Sequence, residues 1–193
     1  MMIQKSMITY PVSQKAIEHL RVTEAVLSRA HSEIAKYAPA AQIDPQTATY
    51  VAMGPNTGIT QYLVTMQVIG CVPGSLITVT YDARFTLQSI LIVLGIQTAT
   101  GVRGMAIENG VVKVDQMTGP SDATAITETE NPITCFWNCL NAMGIPNWLL
   151  SLASALCAAV CIVSDLLACP PCVFGVLAGY AGEVSFCAGA CGF

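Results

Sequence analysis

The sequence predicts an α+β N-terminal domain, with one helix on an antiparallel sheet, followed by a small all-α domain built as a disulfide-stapled helical hairpin. Three observations carry this prediction. Residues 13–37 repeat apolar side chains at helical spacing, residues 47–116 alternate apolar and polar side chains with many β-branched residues, and eight of the nine cysteines follow Asn131.

The helix begins at Ser13, whose hydroxyl suits an N-cap. Ile17, Leu20, Leu27 and Ile34, with Ala16 and Ala30, form its apolar face, and Pro39 bounds it. Arg29 and Glu33 stand four residues apart, a pairing that marks a solvated face and is worth only about 0.2–0.5 kcal/mol. His19 and His31 lie twelve residues apart, so their directions diverge by roughly a third of a turn and they share no metal.

The runs TATYVAM, ITQYLVTMQVIG, SLITVTYDA, FTLQSILIVLGI and GMAIENGVVKVDQ predict a half-buried antiparallel sheet of roughly five strands. Asn109 and Gly110 accept positive φ and mark a hairpin. Cys71, in VIGCVPG, reads as the end of a buried strand, where a lone thiol behaves as a small hydrophobe and stays free. No catalytic residue, metal or cofactor is assigned, and the chain is read as a non-enzyme.

Charge divides the chain. Every Lys and Arg lies between Lys5 and Lys113, and beyond Asn131 the charged residues are Asp165 and Glu183. The net charge of −4 and the lack of a basic run exclude a nucleic-acid partner. Between the halves, TGPSDATAITETENP is too polar to build a core. The predicted domains are therefore 1–118, a linker at 119–132 with a cleavage site, and 133–193. No uninterrupted apolar stretch follows Lys5, so no standard secretory signal peptide is visible and export would use another route.

In the tail, WLLSLASALCAAVCIVSDLLA is apolar nearly all round, CPPC reads as a proline-stiffened turn, and VFGVLAGYAGEVSFCAGACGF forms the second arm. The cysteines fall in four local pairs: Cys135 with Cys139, Cys157 with Cys161, Cys169 with Cys172, and Cys187 with Cys191. The three CxxxC pairs place two thiols on one helix face, where parallel disulfides can staple it to a neighbour. Disulfides outrank zinc here, because the apolar surroundings lack the cations that stabilise thiolates. Nested pairing about two turns would join Cys135 to Cys161, Cys139 to Cys157, Cys169 to Cys191 and Cys172 to Cys187; cross-pairing between the hairpins is the alternative. Gly175 with Gly179 and Ala178 with Gly182 match a small-xxx-small contact pattern. Trp137 and Trp148 border apolar runs as interfacial anchors or core residues do.

With TCFWNC, CAAVC, CPPC and CAGACGF, residues 131–193 resemble the cysteine-rich C-terminal domain of halocin-like bacteriocin precursors. The resemblance implies an apolar, membrane-active peptide freed by proteolysis from a cytoplasmic or membrane-associated precursor and secreted. It implies a target-cell membrane, a processing protease and an exporter as partners, and an N-terminal part that masks the peptide or gives immunity. Independently, a nearly uncharged tail could not rely on attraction to anionic lipid, so its insertion would rest on apolar burial. Two other classes compete: a membrane-anchored protein with a cytoplasmic α+β domain and a C-terminal hydrophobic hairpin, and a thiol redox protein using Cys169 and Cys172.

Overall fold

The computed structural model describes residues 7–55, 58–119, 132–163 and 169–192. Its centre is a seven-stranded antiparallel sheet whose spatial order follows the chain: β1 (Met7–Tyr10), β2 (Gln42–Pro55), β3 (Gln61–Ile69), β4 (Leu76–Asp82), β5 (Leu87–Gln97), β6 (Val102–Glu108) and β7 (Val111–Thr118). The expectation of about five strands is corrected upward. The run containing Asn109 and Gly110 folds into two strands about a turn with φ of 52° and 85°, and β1 adds an edge from only four residues. In β2, Pro45 has no N–H to give the ladder, and the register with β3 shifts between Asp44 and Thr49. The Thr47 hydroxyl fills the gap by accepting from the Gln67 N–H at 2.8 Å.

The single N-terminal helix is also corrected: residues 13–37 form α1 (Gln14–His19) and α2 (Glu24–Ala35). The Ser13 side chain caps α1 by accepting from the Ala16 N–H, and Leu20 closes it. Thr23 then turns to an extended conformation, φ −69° and ψ 155°, and its hydroxyl accepts from the Val26 N–H. With Glu24 favouring the positive end of the helix dipole, this restart competes with continuation through Leu20. The apolar face expected of one helix survives the break, with Ala16, Leu20, Ala30 and Ile34 all buried.

Pleating gives the sheet two chemically different faces. Val64, Ile77, Val79, Ile92, Leu94, Met105 and Ile107 are buried beneath α1 and α2 in a core that is almost wholly apolar. The register pairs Thr65 with Thr78 and Thr78 with Leu91, and these point the other way, as do Leu63, Leu76, Val93 and Ala106. That second face carries the tail: α3 (Pro132–Ala142), α4 (Asn147–Val163), α5 (Cys169–Val176), a 3-10 turn at Ala178–Tyr180 and α6 (Ala181–Ala190). The molecule is thus three layers, helices on both sides of a sheet.

The helical-hairpin expectation for the tail gives way to four α-helices among the described residues. CPPC does not interrupt a helix; it forms the opening turn of α5. Backbone N–H groups in a first turn have no intrahelical acceptor, so proline loses nothing there. The second arm divides at Leu177, where the 3-10 turn precedes α6. The linker at 119–132 falls almost entirely outside the described residues.

Replacing Thr23 by Ala is expected to reduce stability by about 1 kcal/mol through loss of the α2 cap. Ile77→Ala, which empties part of the apolar core, is expected to cost roughly 2–5 kcal/mol. Urea unfolding of the oxidised protein should preserve that order. A Thr23→Ala loss equal to that of Ile77→Ala would contradict the assignment of the two sites.

Candidate functional site

The tail is shaped by its cross-links. Cys135 on α3 bonds to Cys191 at the end of α6, and Cys139 bonds to Cys187, with Cα separations of 5.7 and 5.6 Å. CxxxC on one helix is therefore stapled to CxxxC on an antiparallel neighbour, and Phe136, Leu140, Val184, Cys187 and Ala188 are buried between the two helices and the core. A third bond joins Cys157 of α4 to Cys172 of α5 at 5.8 Å and closes a separation of 15 residues. A loop of that length loses roughly 3 kcal/mol of unfolded-state freedom.

The nested pairing expected from two hairpins is overturned. Cys135 and Cys139 reach past α4 and α5 to α6, because α3 and α6 are the helices that lie side by side. Cys172 is likewise bonded across to Cys157 of α4. The side chains of Cys161 and Cys169 lie outside the described residues. Cys71 is free and half-buried in the turn after β3, and its burial pushes the thiol pKa up. His19 stacks on Phe85 with ring centroids 5.1 Å apart, and His31 is exposed on α2.

The seat for this cross-linked tail is the half-polar face of the sheet. α4 packs on β6 and β7, α5 on β5, and the 3-10 turn on β3. Leu149, Leu152, Ala153 and Cys157 of α4 share one buried cluster with Met53, Leu63, Leu76, Val93 and Ala106 of the sheet. Polar contacts fix the register. The Thr78 hydroxyl donates to the Gly175 carbonyl at 2.8 Å, in the last turn of α5, where carbonyls lack an intrahelical partner. The Gln116 amide donates to the Ser151 hydroxyl at 3.0 Å. Tyr180 is half-buried against this seat, and burial followed by the Glu183 charge raises its pKa, so its hydroxyl stays neutral.

Trp148, at the start of α4, makes the closest fit. Its indole lies over Gly95 of β5 and Gly104 of β6, which are cross-strand partners, and beside Gly74. A Cβ at Gly95 would stand 2.8 Å from Trp148 Cζ2. Trp148 is 5 % exposed, and its Nε1 has no hydrogen-bond partner among the described residues. It is a core residue of the interface between the tail and the sheet. Gly175 and Gly179 also face the sheet, toward Leu91 and Leu76, so the small-residue spacing serves helix-on-sheet packing.

Beside the seat, a cleft of about 370 Å³ opens between the sheet and helices α4 and α5; Thr78, Thr80, Ser89, Glu108 and Leu156 line it. It offers hydroxyls, one carboxylate and apolar surface. Glu108 is 3.5 Å from Lys113 and so is already partnered. Among the described residues no helix is long and apolar enough to cross a membrane, and α4, the segment a membrane hairpin would use, packs on the sheet. Reading the sequence missed Thr78, Gln116 and the glycines. Gly95 and Gly104 did carry a signal, since glycine inside a strand marks a close approach.

No protein-family model, curated protein or solved structure matches the chain.

Proteolysis without reduction is expected to yield one fragment set linking residues 135–139 to 187–191 and another linking Cys157 to Cys172. Reduction should add two hydrogens for each of these three bonds. A fragment joining Cys135 to Cys161 would restore the nested pairing and refute the arrangement of α3 beside α6.

Proposed function

We propose that the chain is the precursor of a secreted antimicrobial peptide, a bacteriocin. Cleavage between about Gly119 and Cys135 frees the disulfide-bonded helical tail, and the tail acts on the membranes of competing cells. Residues 1–118 mask the tail before release or protect the producer from it. On this reading the protein catalyses no reaction, and its partners are a processing protease, an exporter and the target membrane.

The observation that carries the reading is the way the two halves are joined. The three described disulfides all lie within the tail, while the tail meets the sheet through apolar packing and a few hydrogen bonds. One cut in the polar connecting segment would leave a cross-linked peptide held only by reversible contacts. The surface hidden by the sheet includes Trp148, Leu149 and Leu152. Lacking Lys and Arg, the tail would enter a bilayer through burial of such surface and not through charge.

Mass spectrometry of culture medium is expected to find an oxidised peptide that begins between Gly119 and Cys135 and contains residues 135–191. Vesicles of uncharged lipid should leak when given this peptide and stay intact with the uncut precursor. Finding only the full-length chain in producing cells and medium would overturn the precursor reading.

A further inference from the structure

The mixed character of the tail-binding face raises the question of what makes it select this tail rather than any apolar helix. Hydroxyls such as Thr65 and Thr78 alternate there with leucine and valine, a pattern that fits apolar surface without demanding one sequence. The glycine socket is more demanding. Gly95 and Gly104 are directly paired across β5 and β6, so two adjacent strands lack side chains at the same place and leave a depression in an otherwise filled surface. Gly74, with φ of 95°, forms its rim from the turn before β4. The Trp148 ring fills it: atoms of the indole lie 2.8, 3.4 and 3.6 Å from where the Cβ atoms of Gly95, Gly74 and Gly104 would stand.

We propose that this socket is the specificity determinant of the sheet for the helical tail, with Trp148 as the side chain it recognises. The proposal rests on the reading of the sheet as the tail's mask and names the residues that do the masking selectively. Aromatic anchors in closely fitted, desolvated pockets dominate the energetics of protein recognition, and tryptophan is foremost among them. A tail with a smaller residue at position 148 leaves the depression unfilled. A sheet with a side chain at Gly95 has no depression to fill.

The test uses the full chain with a site-specific protease sequence inserted within residues 120–131, cut after oxidative folding, and measures dissociation of the two halves. Gly95→Ala is expected to weaken their association by about tenfold or more, a loss of about 1.4 kcal/mol. The same change alongside Trp148→Leu is expected to weaken it by less than about threefold relative to Trp148→Leu alone. The added Cβ also approaches Val72, at 3.0 Å, but that contact is common to both backgrounds and cancels in the comparison. Gly104→Ala, whose Cβ would sit in ordinary contact with the indole, should bind nearly as the parent does. If Gly95→Ala alone prevents folding, recovery of a folded chain in the double variant is the equivalent supporting result. An equal effect of Gly95→Ala in both backgrounds, or none in either, overturns the proposal. Because the cut is engineered, that outcome leaves natural processing untouched, and absence of natural processing would leave the socket standing.

Discussion

The rest of the structure depends on the burial of a tail that has almost no charge with which to face water. Between Asn131 and Phe193 two carboxylates and no cation accompany a run of alanine, leucine, valine and cysteine. Such a segment must cover its apolar surface. The sheet supplies that cover on one face while α1 and α2 satisfy the other, so the strands are sandwiched between two helical layers of different character. The layer made by α1 and α2 rests on a mainly apolar surface that also buries Tyr62 and Tyr81. The layer made by the tail rests on hydroxyls and amides interleaved with apolar groups.

The cross-links reinforce that division. By joining α3 to α6 and α4 to α5, they restrict the tail's own conformations without tying it to the sheet. The tail's shape and its attachment are therefore controlled by different forces. Its shape is held by covalent bonds that survive dilution and persist in an oxidising environment. Its attachment is held by packing and hydrogen bonds.

Much of the fold was legible because it rests on periodicity. The alternation along β3 to β5 and the Asn109-Gly110 turn identified the antiparallel sheet, and the apolar stripe from Ala16 to Ile34 identified helix. The break at Leu20 was not seen, because α1 and α2 keep one apolar face in phase and the Thr23 cap is a local signal that periodicity averages out. The cysteine count announced disulfides, but pairing depends on which helices are neighbours. That neighbourhood follows from how four helices spread over a sheet, and no spacing within the tail encodes it. The docking face was hidden for a related reason: Thr78 and Gln116 look like ordinary solvent-facing strand residues until a second layer is placed on them.

CPPC and the strand glycines illustrate how one residue type changes meaning with its setting. Proline between two cysteines reads as a breaker when the chain on both sides is taken as one continuous helix. Once α4 and α5 are distinct helices, the same prolines occupy a first turn, where their missing N–H groups are not required, and Cys172 reaches back to Cys157. Glycine likewise weakens a strand considered alone, since it adds no side chain to pack and more freedom to lose on folding. Gly95 and Gly104 are tolerated in the middle of the sheet because Trp148 returns the packing they forgo. The exchange makes the stability of β5 and β6 and the seating of α4 parts of one interaction: the strands are fully packed at this point only while the tail is in place.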